Sequence, residues 1–326
     1  MRFSRREWLA SLPPAVAAVA CRRPPPYRAG DFSVPDRSPV AVLAAAYTSD
    51  LRDIIGRGLL ELGVQVMTRR VFLKPNIVEY EAGTAINTHP LVVASAAEAF
   101  LRAGAREVLV GEGPGHRRDT EYLLLSSGLR DHLQDIGVRF VDLNHDDVRP
   151  LPLRSRFTGL DRLYLPSELL ASDFIVSVAK LKTHHWAGMT ASMKNLFGTV
   201  PGAVYGWPKN LLHTRGISES IVDLTASVAP HFAIVDGIVG MEGDGPIMGT
   251  PRPLGVLVMG SDLVAVDASA ARLIGINPSK LDYLATAGRF LGNIDSGRIE
   301  QRGEPIARFQ TRFALLEHLA YLRSDT

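Results

Sequence analysis

Three basic side chains occupy alternate positions in one segment of the chain. Lys180, Lys182 and His184 come directly after the apolar run Phe174 to Ala179, which is typical of a buried strand. If the strand continues extended, these side chains share one face, because side chains alternate across a strand. We predict that they are the catalytic residues. The lysines would hold an anion as point charges, and His184 or a desolvated lysine would move a proton; such a lysine could also form a Schiff base.

Five further polar residues are predicted to bind the substrate. They are Lys74, Asn76, Glu112, Lys194 and Asn195. Ligands in open α/β sheets lie beyond the carboxyl ends of strands, which is where Lys74 and Glu112 are expected. The alternative is structural. Lysines are usually solvated surface groups, the two asparagines could simply hold turns, and a tight turn at the glycines around Glu112 would leave that residue at the edge of the sheet.

An acidic loop follows another apolar run, Phe232 to Val235. It carries Asp236, Glu242 and Asp244 among several glycines. Three carboxylates on such a loop could bind a divalent cation, orient the lysines or take part in acid/base chemistry. Their irregular spacing matches no EF-hand pattern, and the structural alternative is that Asp236 caps a turn while Glu242 pairs with a lysine. The cofactor is otherwise unknown from the sequence.

The elements that position these residues follow from the pattern of apolar runs. From Val40 onward, short apolar runs alternate with amphipathic segments, which predicts an α/β fold: a layered sandwich with a largely parallel, Rossmann-like sheet. We expect one domain over residues 40–326, either a single unit or two lobes. Among the elements we expect a helix over Met189 to Phe197 and an edge strand over Ile306 to Gln310. The glycines at 111, 113 and 115 form neither a GxGxxG nor a Walker pattern, so no standard nucleotide loop is predicted.

The start of the chain has the composition of an export signal. In residues 1–21, Arg5 and Arg6 precede Trp8 and a short alanine-rich apolar run, which resembles a twin-arginine signal. The last four of these residues resemble a lipobox ending at Cys21. Residues 22–39, rich in proline and arginine, are predicted to be a linker. We therefore expect an exported protein, periplasmic or anchored by a lipid at Cys21, that meets a membrane only through the signal or the anchor.

Composition narrows the classes of partner. The chain has 326 residues, 46% of them hydrophobic and 21% charged, as in an ordinary globular protein. Its formal net charge of +2 falls to zero once residues 1–20 are removed, which argues against nucleic acid as a partner. Cys21 is the only cysteine, so we expect no intrachain disulfide and no Cys-ligated iron–sulfur cluster. The expected partner is a small anionic molecule, and the oligomeric state is left open.

Several short motifs occur in an order that resembles a known family. They are Lys74-Pro75-Asn76, Gly111-Glu112-Gly113, Lys180 to His184, Met193 to Gly198, Asp236 to Ile238, Glu242 to Pro246, and Asp262 with Ala265 to Asp267. This order resembles the family called domain of unknown function 362, over Val40 to Gly292. The family has no generally assigned reaction, and many relatives carry a Cys-rich, ferredoxin-like segment that this chain lacks. A looser similarity to α/β proteins of the lactate-racemase type is at the level of the fold and assigns no reaction.

Two classes of function are consistent with these observations. The first is an exported enzyme that binds a small carboxylate or phosphate through the lysines and performs acid/base chemistry. The second is a non-catalytic periplasmic lipoprotein that binds a ligand or cofactor. In both, we expect the segment Val176 to Gly202, the pair Lys74 and Asn76, and the acidic loop to form three walls of one pocket.

Overall fold

The computed structural model describes residues 25–115 and 119–323. The export signal predicted for residues 1–21, with Cys21, and the start of the predicted linker lie outside these ranges. The described part of the linker packs against the domain, where the Tyr27 ring stacks on the Phe290 ring with centroids 3.8 Å apart. None of the helices within the two described ranges is long and apolar enough to cross a membrane.

Strands and helices alternate along most of the described chain. The strands are β1 (Ser38–Ala44), β2 (Arg70–Pro75), β3 (Glu107–Glu112), β4 (Arg139–Asp142), β5 (Val148–Pro152), β6 (Arg162–Pro166), β7 (Phe174–His184), β8 (Gly188–Thr190), β9 (Phe232–Glu242), β10 (Thr250–Gly260) and β11 (Ile299–Gly303). The helices are α1 (Leu51–Glu61), α2 (Pro90–Arg102), α3 (Thr120–Ser126), α4 (Leu129–Asp135), α5 (Ser167–Leu170), α6 (Ser192–Asn195), α7 (Gly202–Tyr205), α8 (Asn210–Thr214), α9 (Ile217–Val228), α10 (Leu263–Leu273) and α11 (Asp282–Ala287).

One mixed sheet runs through the domain in the order β11-β1-β10-β9-β7-β2-β3-β4, with β8 paired to β7 outside this row. The block from β9 through β7, β2 and β3 to β4 is parallel throughout, and β1 is parallel to β11. β10 is antiparallel to both of its neighbours, and β8 is antiparallel to β7. The strands β5 and β6 form a separate antiparallel pair. The predicted α/β fold with a largely parallel sheet is therefore confirmed.

Helices cover both faces of the sheet, so the fold has three layers. The helices α1 to α4 pack on one face, around buried side chains such as Ile55 and Phe100. The helices α6, α9, α10 and α11 pack on the other face, around side chains such as Leu224 and Leu273. Central strands are thus buried on both faces, which explains why they are continuous apolar runs in the sequence. The strand β7 is buried along its whole length, basic residues included.

The chain reverses its direction across the sheet between β2 and β7. From β2 it moves outward through α2 to β3 and through α3 and α4 to β4. It then returns to β7, on the other side of β2, and continues through α6 to α9 to reach β9. Loops that leave β2 and β7 therefore diverge to opposite faces of the sheet. Such a switch point opens a crevice at the carboxyl ends of the two strands, where α/β proteins bind ligands.

Two elements differ from the predictions. The helix expected over Met189 to Phe197 begins only at Ser192, because Gly188 to Thr190 fold back as β8 against β7. Gly188 has a φ of 78°, a conformation that residues with a side chain rarely adopt. The prediction of an edge strand over Ile306 to Gln310 is wrong. This segment begins with a short 3-10 helix, and β11 is the strand at the edge of the sheet, next to β1.

Candidate functional site

A cleft of about 480 Å³ opens at the carboxyl ends of β2, β3 and β7. Of the eight residues predicted to be catalytic or substrate-binding, six line it: Asn76, Glu112, Lys182, His184, Lys194 and Asn195. They meet because β2, β3 and β7 are neighbours in the parallel block. Apolar side chains complete the walls, among them Ile77, Trp186, Phe197, Ile247 and Met248. The cleft therefore combines basic and amide groups at the strand ends with an apolar surround.

Lys74 lies behind the cleft, and its ammonium group is fully occupied. Its Nζ donates to Glu112 Oε2 at 2.6 Å, to the carbonyl oxygen of the next residue at 2.7 Å and to Asn195 Oδ1 at 3.1 Å. Glu112 also accepts from the backbone N–H groups of Ile77 and Gly113, each at 2.9 Å. An ammonium group has three N–H donors, so Lys74 has none left for a ligand. This buried network instead joins β2, β3 and α6.

Lys180 forms a second buried ion pair and also stays outside the cleft lining. Its Nζ donates to Asp236 Oδ2 at 2.6 Å, to Tyr47 Oη at 3.0 Å and to the Val239 carbonyl oxygen at 3.0 Å. Asp236 also accepts from the His89 backbone N–H at 3.1 Å. All three donors of Lys180 are therefore used within the protein. The structure separates Lys180 from Lys182 and His184, with which the sequence grouped it.

Three other lysines line the cleft without a carboxylate partner. Lys182 Nζ donates to two backbone carbonyl oxygens, of Ile86 at 2.7 Å and of Pro246 at 3.3 Å. Lys194 Nζ lies 4.0 Å from the centroid of the Phe197 ring and makes no hydrogen bond within the described part of the chain. Lys209 donates to three backbone carbonyl oxygens, including that of Gly113 at 2.9 Å. Within residues 25–115 and 119–323, none of the three has an Asp or Glu oxygen at ion-pair distance.

Burial of these unpaired cations lowers their pKa values, because the charged form loses hydration. It lowers the pKa of Lys194 to about 8 and that of Lys209 to about 7, with the Lys74 ammonium contributing in both. The pKa of Lys182 falls well below its usual value through burial and through the nearby ammonium groups of Lys194 and Lys180. Each charge in the cleft thus disfavours the others. An anion bound among them would relieve this repulsion.

His184 is held in one tautomer by the backbone. Its Nδ1 accepts hydrogen bonds from the N–H groups of Trp186 and Ala187, each at 3.1 Å. A ring nitrogen that accepts cannot carry the proton, so the neutral ring bears its hydrogen on Nε2. Burial and the Lys194 ammonium lower the pKa of His184 well below its usual value, which keeps the ring neutral. His184 is therefore a hydrogen-bond donor to the cleft rather than a base.

Two buried polar atoms of the cleft have no hydrogen-bond partner among the residues that the structure describes. They are Asn76 Oδ1 and Thr190 Oγ1, on side chains that are 8% and 4% exposed. A buried polar atom without a hydrogen bond costs about 1–3 kcal/mol, so such atoms are rare in a folded protein. Both residues line the same cleft as Lys182 and Lys194. We interpret them as groups that a bound molecule satisfies.

The acidic loop does not gather its three carboxylates into the cluster expected for a metal. Asp236 pairs with Lys180, Glu242 accepts from the Ala314 backbone N–H at 2.9 Å, and Asp244 lies 3.4 Å from His185 Nδ1. No group of three or more His, Cys, Asp or Glu side chains suited to a metal ion occurs in the described ranges. Because β9 is an extended strand from Asp236 to Glu242, it separates these residues along its length. Of the three, Asp244 lines the cleft.

A buried aspartate fixes the short helix that carries Lys194 and Asn195. Asp267, in α10, accepts from the backbone N–H groups of Ser192 at 2.8 Å and Met193 at 3.1 Å, at the start of α6. These are N–H groups that a helix cannot satisfy by itself. Burial raises the pKa of Asp267 to about 7, while the hydrogen bonds from α6 oppose the rise. The position of Lys194 thus depends on the contact between α6 and Asp267, which lies far along the chain in α10.

Lys209 and Thr190 line the cleft but were not among the site residues predicted from the sequence. A signal for Lys209 was present in the composition. Only six of the 36 lysines and arginines are lysines, at positions 74, 180, 182, 194, 209 and 280. Five of these six lie at or behind the cleft, so the chain uses arginine for its surface and keeps lysine for this site. Lysine can be neutralised by burial, whereas arginine stays charged.

The motifs that build this cleft lie in a region of sequence that matches a known family. Residues 71–272 match the family described as domain of unknown function (DUF362). The chain belongs to the DUF362 family. The matched region contains every cleft residue discussed above. This DUF362 chain is also 29% identical, over 223 residues, to a thylakoid-associated protein from Synechocystis sp., covering 68% of this chain and 67% of that protein.

Solved structures also resemble this DUF362 chain at low sequence identity. The lactate racemase apoprotein from Thermoanaerobacterium thermosaccharolyticum has a TM-score of 0.43 and 11% identity, covering 68% of this chain and 56% of that one. A protein from Thermotoga maritima has a TM-score of 0.36 and 15% identity, covering 65% of this chain and 56% of that one. The DUF362 chain thus spans little more than half of either solved chain.

Proposed function

We propose that this DUF362 protein is an enzyme that binds a small anionic molecule in the cleft, through a carboxylate or phosphate group, and moves a proton there. One observation carries the proposal. Lys182 and Lys194 have no carboxylate partner in the described structure, and they line the same cleft as the unpartnered Asn76 Oδ1 and Thr190 Oγ1. Cations that have lost hydration and have no charged partner are costly, and an anion is the ligand that removes this cost.

The free hydrogen-bond donors of the basic residues in the cleft indicate the role of each residue. Lys194 has all three N–H donors available, Lys182 has one beyond its two carbonyl contacts, and His184 offers Nε2–H. These groups bind the anion. Lys194, whose pKa is about 8, is the group that exchanges a proton near neutral pH. Lys209 adds positive charge but has its donors occupied.

The walls of the cleft indicate the rest of the ligand. A volume of about 480 Å³ is typical of sites for small molecules. Trp186, Ile247 and Met248 provide apolar surface near the cationic groups. A ligand that carries an apolar part beside its anionic group would bury that surface as well, which favours binding.

Thermal unfolding of the full chain in the presence of succinate or inorganic phosphate tests the binding step. At a concentration tenfold above Kd, either anion should raise Tm by roughly 3 °C over chloride at equal ionic strength. Lys194→Met should lose this rise. Lys280→Arg, which changes a lysine outside the cleft, should keep it. The proposal fails if neither anion raises Tm in the wild-type protein, or if Lys194→Met responds as strongly as wild type.

Native mass spectrometry separates an enzyme from the alternative, a binding protein without catalysis. The protein is purified from the periplasm, and the small anion that it releases is identified by its mass. When an excess of this anion is then incubated with the protein, an enzyme is expected to convert it to a product of different mass. A ligand that is retained and returned unchanged would contradict catalysis while leaving anion binding intact. The mass of the mature protein also tests the proposed removal of the export signal and the proposed lipid on Cys21.

A further inference from the structure

We propose that Lys194 is a nucleophile that adds to the carbonyl carbon of its ligand, so that the substrate is an anion carrying an aldehyde or ketone group. The inference rests on the proposed function, because the anionic group must first bind in the cleft. It adds a covalent step and a second chemical group to the substrate.

Elimination among the lysines singles out Lys194. Lys74, Lys180 and Lys209 each have three acceptors, so a covalent step there would break a buried network. A covalent step at Lys182 would likewise break its two backbone hydrogen bonds, so Lys182 serves the anion as a charge rather than as a nucleophile. Lys194 is partly exposed to the cleft and has no acceptor in the described structure.

The surroundings of Lys194 favour the amine as a nucleophile. Its Nζ lies 4.0 Å from the centroid of the Phe197 ring, a contact that attracts the ammonium form weakly but takes no directed hydrogen bond, so the nitrogen stays available to a ligand. Burial holds the pKa of Lys194 at about 8, so a substantial fraction of the side chain is the neutral amine near that pH. A desolvated lysine beside other cations is a known way to activate this nucleophile. Geometry and protonation therefore point to the same residue.

The neighbouring groups fit the other atoms of such a substrate. The Nε2–H of His184 can donate to the carbonyl oxygen, because His184 is neutral and its Nδ1 is already occupied. The Lys182 side chain lines the same cleft, where the Lys194 ammonium helps to lower its pKa, and it suits the anionic group of the substrate. The unpartnered Thr190 hydroxyl provides a further donor or acceptor.

The step balances without any oxidant or reductant. The neutral Lys194 amine attacks the carbonyl carbon, the carbon–oxygen π bond breaks, and the oxygen takes a proton as the nitrogen loses one. The hydroxyl group then leaves as water together with the second proton of the nitrogen, which gives an imine between Nζ and the former carbonyl carbon. Hydrolysis reverses the same steps, so the enzyme is regenerated.

Trapping with pyridoxal 5′-phosphate, an anionic aldehyde, tests the inference on the full chain. Incubation near pH 7.5 followed by borohydride reduction converts any imine to a stable amine, which peptide mapping then locates. We expect the label on Lys194 to exceed that on Lys280 by about tenfold, because Lys194 lines the anion-binding cleft and its lowered pKa leaves part of it as the neutral amine at this pH. Lys194→Arg should keep the positive charge and lose the label.

The outcomes separate this inference from the proposed function. Label on Lys194 that inorganic phosphate competes away supports both. If succinate raises Tm as described above but the label is distributed equally between Lys194 and Lys280, the nucleophile is wrong and anion binding stands. If the label resides on Lys182 instead, the assignment to Lys194 is wrong. If neither the Tm rise nor the label occurs, both proposals fail.

Discussion

Lys74 and Asn195 exchange two hydrogen bonds across 121 positions of sequence. The Lys74 ammonium donates to Asn195 Oδ1 at 3.1 Å, and Asn195 Nδ2 donates to the Lys74 carbonyl oxygen at 2.8 Å. This reciprocal contact fixes α6 to the carboxyl end of β2. It is one reason why Lys194, the residue that precedes Asn195 in α6, has a defined position in the cleft.

Replacing Asn195 should therefore destabilise the protein. Asn195→Ala removes a buried acceptor of Lys74 and leaves donors and acceptors unpaired, at a cost of about 2–4 kcal/mol in the free energy of unfolding. Chemical denaturation measures this cost. Gln134→Ala, on the exposed surface of α4, is the control and should change the same free energy by less than about 0.5 kcal/mol. Equal effects of the two substitutions would show that the Lys74 network is not stabilising.

Replacement by methionine should affect the stability of the protein differently at Lys180 and at Lys194. Lys180→Met leaves Asp236 buried without its partner, and should lower the free energy of unfolding by about 3–5 kcal/mol. The double variant with Asp236→Asn should recover much of this loss. Lys194→Met removes an unpaired cation and should not destabilise the unliganded protein. A severe loss of stability in Lys194→Met alone would contradict the assignment of Lys194 as unpaired.

The pH dependence of stability should reveal the lowered pKa of Lys194. Between the folded pKa of about 8 and the ordinary lysine pKa of 10.5, the unfolded chain binds a proton that the folded chain does not. The free energy of unfolding therefore rises with pH across this window, by at most about 3 kcal/mol from this residue. Denaturation of wild type and Lys194→Met at several pH values measures the difference. Parallel curves for the two proteins would contradict the shift.

Thr190 and Thr199 offer a matched pair of substitutions. Thr190→Val removes a buried hydroxyl that has no partner in the described structure, so it should leave the stability of the unliganded protein unchanged or raise it by about 1 kcal/mol. Thr199→Val removes a hydroxyl that donates to the Leu196 carbonyl oxygen at 2.7 Å, and should lower stability by about 1 kcal/mol. Thr190→Val should also weaken succinate binding, as measured by calorimetry. Unchanged succinate affinity would remove Thr190 from the site.

The fold was predictable from the sequence because buried parallel strands are continuous apolar runs. The exceptions have physical causes. β11 has the polar sequence Ile299-Glu300-Gln301-Arg302-Gly303 at an exposed edge, so it carries no apolar signal. The helix expected over Met189 to Phe197 lost its first turn to β8, because pairing with β7 overrode local propensity.

The candidate site was predictable as a set of residues but not as a set of roles. Spacing alone grouped Lys180 with Lys182, yet the pairing of β7 with β9 shifts register between them, and the distant partners Asp236 and Tyr47 hold Lys180 in a different environment. Those partners lie 56 and 133 positions away, and no local pattern indicates them. Lys209 was missed for a similar reason, since one of its three acceptors, the Gly113 carbonyl oxygen, lies 96 positions away and the other two follow α6.

The most direct test of the account is the number of protons taken up when an anion binds. Calorimetric titration with succinate at pH 8, in two buffers that differ in ionisation enthalpy, measures it, because succinate itself is fully ionised at this pH. We predict an uptake of up to about half a proton in the wild-type protein, since the bound anion raises the pKa of Lys194 from about 8. Lys194→Met should take up less. Succinate binding with no proton uptake, or with equal uptake in Lys194→Met, would contradict the claim that unpaired lysines of the cleft hold the anion.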